Sequence, residues 1–109
     1  MKICEIANAL QLRPLAVCDG DREANGVYIG DLLSWVMGRA GSDNVWITIM
    51  SNINIVAVAS LADVACIVLA EGVTLEENVR ATAEQKGVNV YTTDQTAYEV
   101  ASALASLGL

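Results

Sequence analysis

The segment from Val45 to Ala70, "VWITIMSNINIVAVASLADVACIVLA", decides the fold. It begins with "VWITI" and ends with "CIVLA", two short runs that are apolar at nearly every position and therefore typical of buried strands. Adjacent parallel strands require a crossover of about a dozen residues, so "NIVAVA" cannot be a third strand between them. The segment therefore predicts that Asn54–Ala62 is the crossover helix. Because this helix is apolar on almost every side, we expect it to be almost wholly buried, against the sheet and against a second subunit.

Outside this segment the same alternation of strands and helices continues. Further strands are predicted at "LAVCD" (15–19), "GVYIG" (26–30) and "VNVYT" (88–92). A first helix is indicated by the apolar spacing from Ile3 to Leu10, and Pro14 is predicted to end it. Another is predicted to begin at a capping box formed by Thr74 and Glu77. The pattern predicts an α/β protein: a three-layer α/β/α single domain spanning residues 1–109, with a mainly parallel sheet of four to five strands.

Composition argues against several classes of partner. The net charge is −7 and the six lysines and arginines are scattered, so no positive face for nucleic acid is expected. Charged and polar residues interrupt every apolar run before it could span a membrane. The N-terminus "MKICEIANAL" lacks the basic start and long apolar run of a signal peptide, so we expect a cytoplasmic protein.

The residue types needed for metal binding and for common catalytic sites are missing. There is no histidine, and the three cysteines are far apart, so no metal and no cofactor is expected. The plain interpretation of Cys4, Cys18 and Cys66 is that they are reduced thiols acting as small core residues. The sequence contains no phosphate-binding loop and no recognisable nucleophile–base pair.

Polar residues follow three of the predicted strands at their carboxyl ends, which meet at one edge of a parallel sheet. They define a candidate ligand site at this edge: Ser51, Asn52, Asn54, Glu71, Gly72, Thr93, Asp94 and Thr96. Two carboxylates make such a site acidic, which favours a neutral or cationic group, or a metal-bridged anion, over a bare phosphate. The same residue types also close turns and cap helices, and this structural interpretation stands beside the functional one.

From about Gly26 to Leu107 the chain resembles the DRTGG domain family, which is related to the N-terminal domain of HPr serine kinase. The resemblance rests on "GVYIGDLLSWV", on "WITI" followed by the Asn54 helix, on "CIVLAEG" and on "VYTTDQTAYEVASAL". Where the family typically has an Asp-Arg pair, this chain has Ser51 and Asn52. Where the family has Thr-Gly-Gly, this chain has Ala70, Glu71 and Gly72. The resemblance implies a regulatory or ligand-sensing module without catalysis of its own.

We therefore expect a non-catalytic regulatory domain that acts as a homodimer and binds a small-molecule or nucleotide-like ligand. One alternative is a pure interaction subunit with an unknown protein partner and no small ligand. Another is a small enzyme with Asp94 or Glu71 as its base. Thermal stabilisation by a metabolite separates the first expectation from the second.

Overall fold

The computed structural model describes residues 1–109 and contains five helices and five strands. In chain order they are α1 (Ile3–Leu10), β1 (Arg13–Ala16), β2 (Val27–Ile29), α2 (Leu33–Arg39), β3 (Val45–Thr48), α3 (Asn54–Ala62), β4 (Cys66–Leu69), α4 (Glu77–Lys86), β5 (Val90–Thr92) and α5 (Ala97–Ser106). No helix combines the length and the apolar character needed to cross a membrane.

All five strands form one sheet in the order β1-β5-β4-β3-β2. Strands β2 to β5 are parallel, whereas β1 pairs antiparallel with β5. Helices α1 and α5 pack on one face of the sheet, and α2, α3 and α4 pack on the other. The predicted fold class, a three-layer α/β/α domain with a mainly parallel sheet, is confirmed.

The central strands are buried on both faces, as their apolar composition predicts. Ile47 and Val68 point toward α1 and α5, whereas Trp46 and Ile67 point toward the other helix layer. All four are fully buried. The Trp46 indole remains satisfied in this position because its Nε1 donates to the Gly30 carbonyl at 2.9 Å.

The crossover helix α3 has the predicted bounds, but within the single chain it is only partly buried, and its predicted cover by a second subunit stays a prediction. Its inner face packs into the core, while an outward face carries Leu61 at 72% exposure. The neighbours α2 and α4 flank α3 without covering it. Apolar composition therefore predicts more burial than α3 gains within one chain.

Strand β1 is the element that sequence periodicity placed least well. The helix α1 ends at Leu10, where Gln11 takes the left-handed conformation, rather than at Pro14. Pro14 instead lies inside β1 at the edge of the sheet, opposite Tyr91 of β5. An edge strand tolerates proline because its outer side has no ladder to complete.

The predicted capping box of Thr74 and Glu77 does not form. The chain remains extended through Glu76, so α4 begins only at Glu77 and has no side-chain cap. A capping box is found at α5 instead, where Thr96 accepts from the Glu99 amide and Glu99 accepts from the Thr96 amide. Both segments carry the Thr-x-x-Glu spacing, and only the backbone conformation distinguishes them.

The cysteines differ in environment, so their assignment as core residues holds for one of them. Cys66 is 1% exposed at the start of β4, and burial raises the pKa of its thiol to about 12. Cys4 and Cys18 are exposed, which contradicts the prediction that they are core residues. Cys18 follows β1, and its Sγ lies beside the last turn of α4. The pKa of its thiol is raised there, mainly by desolvation and secondly by the charge of Glu84.

A buried asparagine joins the amino ends of the strands to the loop after β1. Asn89 is 3% exposed, and its Oδ1 accepts from the amides of Cys18 and Asp19 at 2.8 and 2.9 Å. Its Nδ2 donates to the carbonyls of Asp19 and Ala65, both at 3.0 Å. All four hydrogen-bonding positions of this side chain are used.

An arginine joins the segments that lead into β3 and β4, at the edge of the sheet formed by the amino ends of the strands. The Arg22 guanidinium donates to the carboxylates of Asp43 and Asp63 at 2.9 and 3.0 Å, and to the Asp63 carbonyl at 2.7 Å. Hydrogen bonds from Arg22 and from Ser42 hold the pKa of Asp63 below its usual value. The amino edge of the sheet is thus fixed by side chains that have direct partners.

Candidate ligand site at the carboxyl edge of the sheet

The carboxyl ends of β2 and β3 are joined by a single carboxylate. Asp31 Oδ1 accepts from the Thr48 hydroxyl at 2.8 Å and from the Ile49 amide at 3.1 Å. Thr48 Oγ1 in turn accepts from the Met50 amide at 3.2 Å. These bonds set the path of the chain into the Ser51–Asn52 segment, so this part of the edge has a defined geometry.

The ends of β4 and β5 lie together, as predicted. Glu71 and Gly72 both have left-handed backbones, with φ of 62° and 75°. The Glu71 amide donates to the Gln95 carbonyl at 2.9 Å, and the Gly72 amide donates to the Thr93 carbonyl at 2.8 Å. The φ of Gly72 is one that residues with a Cβ rarely adopt, so glycine suits this position.

The threonine hydroxyls at the end of β5 serve the fold. Thr92 Oγ1 donates to the Val73 carbonyl, which draws the β4–α4 connection onto the end of β5. Thr93 is 4% exposed, and its hydroxyl accepts from the Gln95 amide at 3.3 Å. The predicted site residue Thr93 is therefore buried beneath the edge, where it supports the backbone and presents little surface to a ligand.

A cation that sequence analysis did not place at this edge lies beside Asp94. Arg13 Nη2 is 3.1 Å from Asp94 Oδ1, and both side chains are largely exposed. Arg13 reaches this position because antiparallel β1 brings it opposite Thr92. The sequence offered no signal for this, since the predicted strand at 15–19 began two residues after Arg13.

Two of the predicted residues lie apart from the others. Thr96 Oγ1 accepts from the Glu99 amide at 3.2 Å and so caps α5. Asn54 lines a groove of about 360 Å³ between α3 and α4, on the outer side of the helix layer. The structure gives Thr96 a capping role and places Asn54 in a different surface feature.

Ser51 and Asn52 line a cavity with residues that sequence analysis did not select. This cavity has a volume of about 370 Å³ and is bounded by the β3–α3 and β4–α4 connections, and we call it the β3–β4 cleft. Its polar lining residues are Ser51, Asn52, Thr74, Glu76 and Asn78. Equivalent connections of neighbouring parallel strands lie side by side, so the missed residues could have been found from the position of their loop after β4.

The groups brought together at this edge suit hydrogen bonding rather than metal coordination. Its groups are neutral amides and hydroxyls with a few carboxylates, and no cluster of three or more acidic, cysteine or histidine side chains could hold a metal ion. A carboxylate near a threonine hydroxyl occurs at Asp31 and Thr48, but there the pair joins two strands. The predicted site residues thus form two separate parts, the β3–β4 cleft and the ridge formed by Glu71, Gly72 and Asp94.

Comparison with known proteins places this fold. No curated protein sequence matches the chain. Among solved structures, the chain is similar to the CBS and DRTGG domains of the regulatory region of Clostridium perfringens pyrophosphatase, complexed with its activator, diadenosine tetraphosphate. The TM-score is 0.72 at 13% sequence identity, and the match covers 94% of this chain but 45% of that one, less than half its length. The model of the DRTGG domain matches residues 5–107, nearly the full chain, and the protein belongs to the DRTGG domain family.

Proposed function

We propose that residues 1–109 act as one non-catalytic regulatory domain that binds a small nucleotide-like molecule at the carboxyl edge of the sheet. Membership in the DRTGG family carries this proposal. It is supported by the solved regulatory region of similar fold, which was complexed with a nucleotide activator. The open carboxyl edge, with its left-handed Glu71 and Gly72, supplies a surface where backbone and ligand could approach closely.

At the ends of β4 and β5, most of the side chains that an enzyme would need have structural partners. Asp94 is paired with Arg13, and the hydroxyls of Thr92, Thr93 and Thr96 bond to the backbone. A serine or threonine nucleophile requires a base within hydrogen-bonding reach, and the hydroxyl–carboxylate hydrogen bond of this edge, from Thr48 to Asp31, joins two strands. These contacts favour binding over catalysis.

The test is a thermal-shift screen with nucleotides, including diadenosine tetraphosphate, followed by calorimetry of any compound that stabilises the protein. We expect the Asn52→Ala substitution to weaken binding, because Asn52 lines the edge and its own bond, to the Asn54 amide at 2.9 Å, is local. The matched control is Asn8→Ala, an exposed asparagine on α1. The proposal fails if no nucleotide stabilises the protein, or if both variants bind like the wild type.

We further propose that the protein acts as a homodimer through the outward side of α2 and α3. Of the eleven large apolar side chains that are exposed, seven lie between Ile29 and Leu61. Trp35 on α2 and Leu61 on the adjacent α3 are 54% and 72% exposed, and Leu32, which precedes α2, is 59% exposed. Concentration of exposed apolar surface in one part of a molecule is typical of an interaction site.

Light scattering after size-exclusion chromatography tests this assignment. The wild type should be a dimer, and Leu61→Glu should give monomers, whereas Tyr98→Glu, at an 80% exposed position on α5, should leave the dimer intact. A wild-type monomer, or a dimer that survives Leu61→Glu, contradicts the proposed interface. A monomer that also binds no nucleotide would favour the alternative of a pure interaction subunit.

A further inference from the structure

We infer that the β3–β4 cleft binds the vicinal diol of a ribose-type sugar, with the Glu76 carboxylate accepting from its hydroxyls. This inference rests on the proposed function and extends it by naming the part of the ligand and the residues that would hold it. Thr74, Glu76 and Asn78 then become binding residues, although none of them belongs to the site predicted from the sequence.

The first argument is that the polar groups of the cleft are available. The side chains of Ser51, Thr74, Glu76 and Asn78 make no hydrogen bond or ion pair within the protein, while all of them line the same cavity. Asn52 uses only its Oδ1, which accepts from the Asn54 amide, and its Nδ2 is free. Elsewhere along this edge Asp31, Thr92, Thr93 and Thr96 are engaged in internal bonds.

The second argument is charge. Glu76 is the one charged residue of the cleft, and no lysine or arginine lines it. A carboxylate repels a phosphate, and no lysine or arginine lines the cleft to offset that repulsion; the free amides at the start of α4 carry only a partial positive charge. An ionised carboxylate is a pure acceptor with two oxygens, so it matches a ligand that offers two neighbouring hydroxyl donors. Carboxylates hold ribose hydroxyls in this way in dinucleotide-binding folds.

The third argument is the rest of the lining and the size. The amide of Asn78 and the free Nδ2 of Asn52 can bond to neutral oxygens and nitrogens of a ligand. Ile53, which is exposed, adds apolar surface that suits the flat face of a sugar or base. A cavity of about 370 Å³ falls within the range of small-molecule sites, which begins near 300 Å³.

The test compares three ligand panels by two-dimensional NMR of the full chain: the four ribonucleosides, their 2′,3′-dideoxy counterparts and their 5′-monophosphates. At least one ribonucleoside should shift the amides of residues 51–53 and 74–79. Its dideoxy counterpart should bind about tenfold more weakly, since the hydroxyl bonds to a charged group are lost. The monophosphate should bind no more tightly than the nucleoside.

Matched variants assign the effect to one carboxylate. Glu76→Gln should weaken nucleoside binding by about tenfold, whereas Glu77→Gln, which removes an equal charge from the neighbouring residue outside the cleft, should leave it unchanged. Equal affinity for nucleoside and dideoxynucleoside, or equal effects of the two variants, overturns the inference. Nucleotide binding that shifts only residues 71–72 and 93–96 overturns it while the proposed function stands. Absence of any binding overturns both.

Discussion

The two edges of the parallel sheet are built from similar residue types, but these side chains have partners within the protein at one edge and lack them in part of the other. At the amino edge, Arg22 holds two carboxylates and Asn89 makes four hydrogen bonds at 2.8 to 3.0 Å. At the carboxyl edge, Glu76 and Asn78 line an open cleft without partners in the protein. The comparison teaches that residue type alone does not mark a site. What distinguishes the carboxyl edge is that part of its hydrogen-bonding capacity is left unused.

The largest effect should be seen at alkaline pH and should come from Cys66, at the amino end of β4. Its pKa is raised to about 12 in the folded state, so below pH 9 the thiol is neutral in both the folded and the unfolded state. In that range it does not change the free energy of unfolding. Between pH 9 and 12 only the unfolded chain gains the thiolate, and the free energy of unfolding should fall by up to about 4 kcal/mol. Urea titrations of wild type and Cys66→Ala across this range measure it. The exposed Cys4→Ala variant should retain the wild-type slope, and identical slopes for all three proteins would contradict the prediction.

Replacement of Asn89 by alanine should cost about 3 kcal/mol in the free energy of unfolding. The substitution leaves two amides and two carbonyls without the partner that a side chain of 3% exposure supplied. Chemical denaturation at neutral pH gives the value. A loss below about 1 kcal/mol would mean that the loop after β1 repacks and that the amino edge is less rigid than its contacts indicate.

The two arginines at opposite edges should differ in their contribution to stability. Arg22→Met should cost about 2 kcal/mol, because it leaves two carboxylates facing each other, while Arg13→Met breaks a single exposed ion pair and should cost about 0.5 kcal/mol. The lowered pKa of Asp63 contributes stability above pH 4 that is lost as the pH falls through its folded-state value. Acid titration monitored by circular dichroism should show this loss in the wild type and less of it in Arg22→Met. Equal costs for both arginines would remove the distinction between the edges.

Thr96→Ala should lower the free energy of unfolding by about 1 kcal/mol, the usual cost of losing a helix cap. Thr74→Ala is the matched control: it belongs to the same Thr-x-x-Glu pattern, but no box forms there, and its substitution should be nearly neutral. Thermal denaturation of the pair decides whether the structural assignment of the two threonines is right. The reverse order of effects would place the cap at α4.

The smallest effect is expected in the β3–β4 cleft. Asn78→Ala and Glu76→Gln should each change the free energy of unfolding by less than about 0.5 kcal/mol, because neither side chain has a partner to lose. Side by side with Asn89→Ala, the Asn78→Ala variant compares one residue type at the two edges. A cost at Asn78 as large as that at Asn89 would show that the cleft residues support the fold.

The fold could be predicted from the sequence because its strongest signals are local and agree with one another. The apolar runs at 45–49 and 66–70 and the minimum length of a parallel crossover determine α3 and its flanking strands. The antiparallel pairing of β1 could not be found in this way. It depends on a contact between Arg13 and Thr92, which are distant in sequence, and no periodicity marks it.

The candidate site could be predicted as an edge but not as a set of side chains. Parallel topology brings Ser51 near the loop after β4, and this follows from strand order alone. Which hydroxyls are free depends on the backbone path. Thr93 and Thr96 are engaged while Thr74 is not, although all three follow strands and look alike in sequence.

Pro14 in β1 has a consequence for how the protein behaves at high concentration. The outer strand on that side carries a residue without an N–H group, and β2, the outer strand on the opposite side, is only three residues long. A strand from another molecule would find an interrupted ladder at one end of the sheet and a very short one at the other. The chain can therefore carry an exposed apolar surface on α2 and α3 and still resist fibril growth, because neither edge of the sheet offers a strand from another molecule a continuous row of hydrogen-bonding groups.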